Sequence, residues 1–480
     1  MKKILAFVLM VLLLLTACSA PAEQTETPMD ENQFMVGYSS KIVNPPASVP
    51  LVGYGNVATR YMQEMGDDIK IFLIAIHDGQ GNQIMIVNTD FCTMGEALGS
   101  SIQTTVHTAT GIPMERIYVS ANHSHSAPQV TGELQNVPEY RELVFEQLEI
   151  AAKEAMADLK PAKMYVGSAE TENLNFVKHY QYVDENGEMK YFGDNFGSAV
   201  YNETTEHTTE ADTTMHVLKF EREGCKDLVI CNWRAHPHFT GGSKKYVCSS
   251  DYPGTFREAL EMQLGCDAVY MQGACGNINS STRLAEERRT TDVRTFGALL
   301  AGYAIEALEN NMTEITTGQI QTQQYEYYGE INHTFDALYV QAKTVSSVWA
   351  STNNWDECRP YMTPYGIRSP YHANAIVSNA GRTKEKDGKL IMNAVSIGED
   401  FAFVTFPGEL FDAISVGVEE GSPYATTMLF GYSTGHIGYL PSGYAFEYTS
   451  YETDITRFQA GTGEIVRDEY IRMLSELKEG

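Results

Sequence analysis

A chain of 480 residues with 62 acidic against 34 basic side chains has a formal net charge of −28. That balance excludes nucleic acid as a partner and argues against electrostatic attraction to anionic lipid, because both need clustered Lys and Arg. The length fits two or three domains or one large α/β domain, and cysteines without tight spacing give neither a disulfide framework nor a C-x-x-C zinc knuckle.

The N-terminus, MKKILAFVLMVLLLLTACSA, sets two lysines before an apolar run from Ile4 to Leu15 and a small-residue region. This is a secretory signal, and its apolar run is short for a membrane span. Cys18 in LTAC sits where a bacterial lipobox places its lipidated cysteine; the other reading is an ordinary signal with a chance cysteine. SAPAEQTETPMDENQ is polar and lacks aromatics, so residues 19–34 read as a flexible tether and 35–480 as the folded part. No second apolar run is long enough to cross a membrane. One disulfide among Cys225, Cys231 and Cys248 stays open, and the other cysteines read as small buried hydrophobes.

DIKIFLIAIHDGQGNQIMIVNTDF gives two apolar runs joined by DGQGN, a hairpin. EALGSSIQTTVHTATG predicts a helix stopping at Gly111, and strand 116–121 follows. Residues 139–159 carry the clearest helical spacing in the chain. MHVLKF and DLVICNWRAH predict strands with EREGCK turning between them, and DYPGTFREALEMQL a helix with proline near its first position. CDAVYMQGACGN is a buried strand ending in glycines; TTDVRTFGALLAGYAIEALEN is an amphipathic helix. LIMNAVSIGEDFAFVTFPGELFDAISVGVEE gives two strands, a turn and a helix, and TTMLFGYSTGHIGYLPSGYAFEY a strand entering an aromatic, glycine-rich loop. Alternating strands and helices without a linker predict α/β or α+β architecture with one main sheet system.

Four stretches carry candidate chemistry. In IYVSANHSHSAPQ, period-two geometry puts Ile117, Val119, Ala121, His123 and His125 on one face, provided the strand geometry persists that far. Neutral imidazole is a good zinc ligand, although an isolated H-x-H is more often a surface or satisfied core pair. NWRAHPHF places His236 and His238 after another apolar strand, and CSSDYPG follows with Asp251. Glu409 in VTFPGELF sits between strand and helix, where a carboxylate also stabilises a helix start. GHIGYLPSGYAFEYTSYE carries Tyr439 and Tyr451 among glycines that allow close approach.

Together, in this order, these stretches resemble the neutral/alkaline, non-lysosomal ceramidases, zinc amidases that are secreted or membrane-anchored. VGYSSKIVNPP with VPLVGYG is similar to that family's opening; SANHSHSAP resembles its T-H-T-H-S-G-P, SSDYPG its S-x-D-x-x-G and FPGE its metal-binding P-G-E. GYLPSGYAFEYTSYE resembles the closing tyrosine loop. The resemblance implies a mixed β-sheet core flanked by helices, without the family's C-terminal β-domain. It also implies zinc held by His123, His236, Glu409 and Tyr439, with His125 and Tyr451 as catalytic groups, and it assigns His238 to no matching position. Asp251 is placed behind the site, orienting a ligand. The implied reaction is cleavage of an N-acyl bond of a ceramide-like lipid by metal-activated water, with the membrane reached through the lipid anchor.

Two positions depart from the pattern. QGACGNINSS puts Asn279 where the family has a substrate-contacting serine, so Asn279 is the candidate for the amide contact. NLNFVKHY puts Phe176 where the family has an arginine, with Lys178 two residues on as a substitute for its charge. The alternatives are a zinc hydrolase of another amide, ester or phosphoester, and a non-catalytic surface binding lipoprotein.

Overall fold

The computed structural model describes residues 33–480 apart from 55–56, 194–201, 242–243, 283, 285–291 and 449, so the signal and lipobox, Cys18 included, lie outside the described residues. Strand-forming residues assemble a nine-stranded mixed sheet. Its spatial order is Asp267–Gln272, Leu228–Trp233, Thr214–Arg222, Lys160–Glu170, Met35–Ile42, Lys70–His77, Gln83–Thr89 and Ile117–Ala121, with Thr313–Ile315 also paired to Lys160–Glu170. A second sheet runs Ile320–Tyr328, Lys389–Ile397, Phe401–Thr405 and Thr426–Phe430. One main sheet system was expected; two sheets packed face to face are found.

The alternation of side chains explains the layers. In KIFLIAIH, Phe72, Ile74 and Ile76 join Phe401, Phe403, Met428 and Phe430 in a core between the sheets. Their neighbours Ile71, Leu73 and Ala75 point the other way, into a core shared with helices Glu96–Thr110, Val137–Ala157, Asp251–Leu264 and Val293–Asn310. The second sheet is covered on its outer face by Asp412–Gly421 and Thr462–Glu479, through Ala402, Val404, Leu429, Ile414 and Tyr470. The result is four layers, helix–sheet–sheet–helix. Strands buried on both faces read as unbroken apolar runs, which is how these segments look in the sequence. Helices Tyr339–Thr352, Trp355–Met362 and Pro370–Asn379 stand apart, packed on a small core of their own.

Within the two large sheets three strand pairs run parallel, and each is joined by a crossover containing a helix: Gln83–Thr89 to Ile117–Ala121, Leu228–Trp233 to Asp267–Gln272, and Phe401–Thr405 to Thr426–Phe430. The expected hairpin at DGQGN is present, with Gly79 and Gly81 at positive φ and the Asp78 carboxylate accepting from the amides of Gln80 and Asn82. All seven described cysteines are free and only Cys225 is exposed, so the disulfide left open among Cys225, Cys231 and Cys248 is not formed.

A buried ion pair fixes the end of the first parallel pair. Arg257 donates to both oxygens of Asp90 at 2.8 and 2.7 Å, and Asn122, the residue before His123, donates to Asp90 Oδ1 at 2.9 Å. With both side chains almost wholly enclosed, Arg257→Met leaves an uncompensated carboxylate and should cost about 3–5 kcal/mol. Arg257→Met with Asp90→Leu should recover part of that loss. Chemical denaturation of both variants checks this, and an equal loss in single and double variant contradicts it.

Candidate metal centre

The carboxyl ends of the three parallel pairs face one another, and the chemistry collects there. His123 follows Ala121, His236 follows Trp233 and Glu409 follows Thr405. Their ligand atoms all lie within 4.8 Å of one another. Glu409 Oε2 stands 3.3 Å from His236 Nε2 and 3.6 Å from His123 Nε2. Tyr439 is the strand partner of Glu409, and burial together with the nearby Glu409 carboxylate holds its phenol well above the ordinary tyrosine range.

The backbone sets the tautomers. His123 Nδ1 is 2.7 Å from the Cys92 carbonyl and His236 Nδ1 3.0 Å from the Ile278 carbonyl. A carbonyl only accepts, so both Nδ1 atoms carry hydrogen and both Nε2 lone pairs face the shared space, the arrangement found for metal-bound histidine. His125 Nε2 approaches His123 Nε2 to 3.0 Å, and His125 Nδ1 is buried without a hydrogen-bond partner.

The two histidines of H-x-H meet, but not by strand geometry. The chain leaves the extended conformation at His123, whose φ is 63°. That turn swings His125 back beside His123 instead of two places further along a strand. Arg60 holds the turn by donating to the His125 carbonyl at 2.9 Å and to Ser126 Oγ at 3.1 Å. Asp251 does not touch a ligand imidazole. It accepts from the amide and hydroxyl of Thr240, and the Thr240 hydroxyl oxygen accepts from the Ser126 hydroxyl at 2.7 Å, so it steadies the histidine turn from behind.

Burial drives the electrostatics. Desolvation lowers His123 to about 3 and puts His125 well below its ordinary value, so both are neutral. Glu409 is held at about 2: burial opposes ionisation, but His123 and His236 outweigh it. His236 rises to about 9; burial works against its charge, while Cys275 and Glu409 favour it. The carboxylate beside His236 thus makes this a place that favours positive charge.

The rim holds the remaining candidates. Asn279 Oδ1 accepts from His238 Nε2 at 3.2 Å, and Asn279 bridges to His236. The Tyr451 ring lies 5.8 Å from that of Tyr439, edge on. Lys178 Nζ sits over the Tyr439 ring at 5.3 Å and 2.9 Å from Glu452 Oε1, while Glu452 Oε2 takes His179 Nε2 at 2.7 Å. The Lys178 charge therefore does reach this wall, already engaged by the residue after Tyr451.

Several participants were not singled out from the sequence. Tyr432 stacks on His123 with ring centroids 3.9 Å apart, and its hydroxyl lies 3.0 Å from Cys275 Sγ. His436 Nε2 is 3.8 Å from Glu409 Oε1. The glycine-flanked STGHIG was the available signal for His436; nothing in GYS marks Tyr432.

The fold and site define a four-layer α/β protein with a buried two-histidine, one-carboxylate cluster at the carboxyl ends of its parallel strands. Solved structures share that architecture. Neutral ceramidase from Pseudomonas aeruginosa superposes with TM-score 0.68 at 15% identity, over 93% of this chain and 75% of that one. A ceramidase complexed with C2 gives 0.68 at 14%, over 93% and 76%. The fold is neutral-ceramidase-like, and the likeness spans about three quarters of the length of those chains. No protein-family model and no curated protein matches the sequence.

The cluster sets the following expectation. His123→Ala, His236→Ala and Glu409→Ala should each lose zinc beyond the ~10–100-fold that a supporting residue is worth, and Tyr439→Phe should stay within that range. Chelator competition on purified protein measures it; unchanged zinc binding in His123→Ala contradicts the cluster as a metal centre.

Proposed function

We propose that the protein is a zinc-dependent hydrolase that cleaves the N-acyl bond of a ceramide-like lipid, held at the membrane by a lipid on Cys18. The observation that supports it most is the meeting of His123, His236 and Glu409 from three separate crossovers on a neutral-ceramidase-like fold. Zinc bound there would supply Lewis acidity and lower the pKa of water to about 7.

The residues of the chain do the rest. His123, His236, Glu409 and the Tyr439 phenol form the donor set, and the surrounding apolar core excludes bulk water. His125 carries the proton: its ring touches His123, and its Nδ1 is left without a hydrogen-bond partner. Tyr451, beside Tyr439, donates to the carbonyl oxygen as charge builds on it. Asn279, held by His238 at 3.2 Å, contacts the amide. Water adds to the acyl carbon, the C–N bond breaks, the nitrogen takes the proton from His125, and a fatty acid and an amine leave.

One observation favours a second substrate. With Phe176 in place of a cation and Lys178 engaged by Glu452, this stretch differs from the resembled family's pattern. A different N-acyl amide, or an ester, is the second reading.

Fatty acid release from N-acyl sphingosine, compared with other N-acyl amides, simple esters and phosphoesters, tests the proposal. His125→Ala should lower kcat by roughly 10²–10⁴-fold and Tyr451→Phe by about 10²–10³-fold, with zinc retained in Tyr451→Phe. Turnover of esters or phosphoesters alone ends the amidase reading. Zinc-loaded protein that turns over none of them supports a binding lipoprotein.

A further inference from the structure

The helices between Tyr339 and Asn379 belong to neither sheet's cover, and their surface is unlike the rest of the molecule. In a chain of net charge −28, residues 336–379 hold three acidic and three basic side chains and are neutral. They also hold two of the three tryptophans, Trp349 and Trp355. Val340 is 71% exposed, and Tyr361, Tyr365 and Tyr371 are exposed as well.

This surface is continuous with the metal centre. Tyr371 packs edge-on against Trp349 at 5.8 Å, Trp355 at 6.3 Å and Tyr451 at 5.7 Å. Tyr451 in turn meets Tyr439, the partner of Glu409. Aromatic side chains therefore run without a break from the helices' surface to the candidate catalytic group.

We infer that this helical insertion is the face that docks on a zwitterionic phospholipid bilayer and from which an acyl chain enters the site. Tyr and Trp combine an apolar ring with a polar edge and settle at the head-group level of a membrane. A neutral face is what a strongly acidic protein needs there, since its remaining surface gains nothing from anionic lipid. Entry from the bilayer along aromatic rings keeps the acyl chain out of water throughout. The inference rests on the amidase reading only for what enters; docking is measured without turnover, so the two can fail separately.

The tryptophans provide the readout. Trp233, the third, is fully buried, so any change in emission on adding vesicles reports Trp349 and Trp355. Purified chain carrying Cys18→Ala, which removes the anchor, is titrated with phosphatidylcholine vesicles. Expected are a blue shift and quenching by brominated lipid, both abolished in the Trp349→Phe/Trp355→Phe variant. Val340→Glu/Tyr365→Glu, on the open surface, should weaken partition by at least about tenfold while keeping the wild-type thermal midpoint and zinc content. Absence of shift and quenching at saturating lipid overturns the inference, and so does wild-type partition by the double variant. A concentration-dependent dimer that the double variant dissolves, with no vesicle binding, assigns the face to a second copy of the chain and overturns it equally.

Discussion

Two imidazole nitrogens, His123 Nε2 and His236 Nε2, turn their lone pairs toward the same buried carboxylate oxygen. The backbone orients them, because each ring gives its Nδ1 hydrogen to a main-chain carbonyl. A carboxylate shut in an apolar interior costs several kcal/mol unless a positive charge meets it, and no lysine or arginine is paired with Glu409 among the described residues. A divalent cation at that point would satisfy all three donors. The rest of the architecture can be understood as what it takes to hold them there.

Three crossovers share that task. Parallel strands joined through helices have their carboxyl ends on one side, where the loops diverge and leave a cleft. Here the carboxyl ends of three such pairs, two in the large sheet and one in the small, come together because the sheets pack face to face. Each supplies an imidazole or the carboxylate within a few residues of the strand's last position. The strands themselves are fixed by burial on both faces and, at the end nearest His123, by the enclosed Arg257–Asp90 pair. Rigid supports of this kind keep ligands placed to within the narrow tolerance that metal chemistry demands.

Much of this was legible in the chain. The apolar runs from Lys70 to Thr89, the helix over Val137–Ala157 and the H-x-H, R-A-H and P-G-E sites all report local chemistry, and the structure brings His123, His236, Glu409, Tyr439 and Tyr451 to one place. What was not legible depends on tertiary geometry. The second sheet has the same local signature as the first, so only packing separates them. His123 and His125 were expected to align through strand period, yet they meet through a left-handed turn that no pattern of hydrophobicity encodes. Asp251 carries a motif but serves Thr240, and Tyr432 carries none yet touches His123.

The positions of backbone strain lead to the same place by a separate route. Among the described residues, six other than glycine have positive φ: three asparagines, Asp251, His123 and Tyr432. Asparagine and aspartate tolerate that region with little difficulty, whereas a tyrosine there is a true outlier. Such residues cost about 1–3 kcal/mol each and persist only where their surroundings over-determine them. In this protein the two rings held that way, His123 and Tyr432, are stacked on each other, with the Tyr432 hydroxyl against Cys275 and the His123 Nδ1 against the Cys92 carbonyl. Folding alone has no use for concentrating strain at one contact; a ring that must present its Nε2 to a fixed point does. The strain, the tautomers that the carbonyls impose and the buried carboxylate all single out the space between His123, His236 and Glu409.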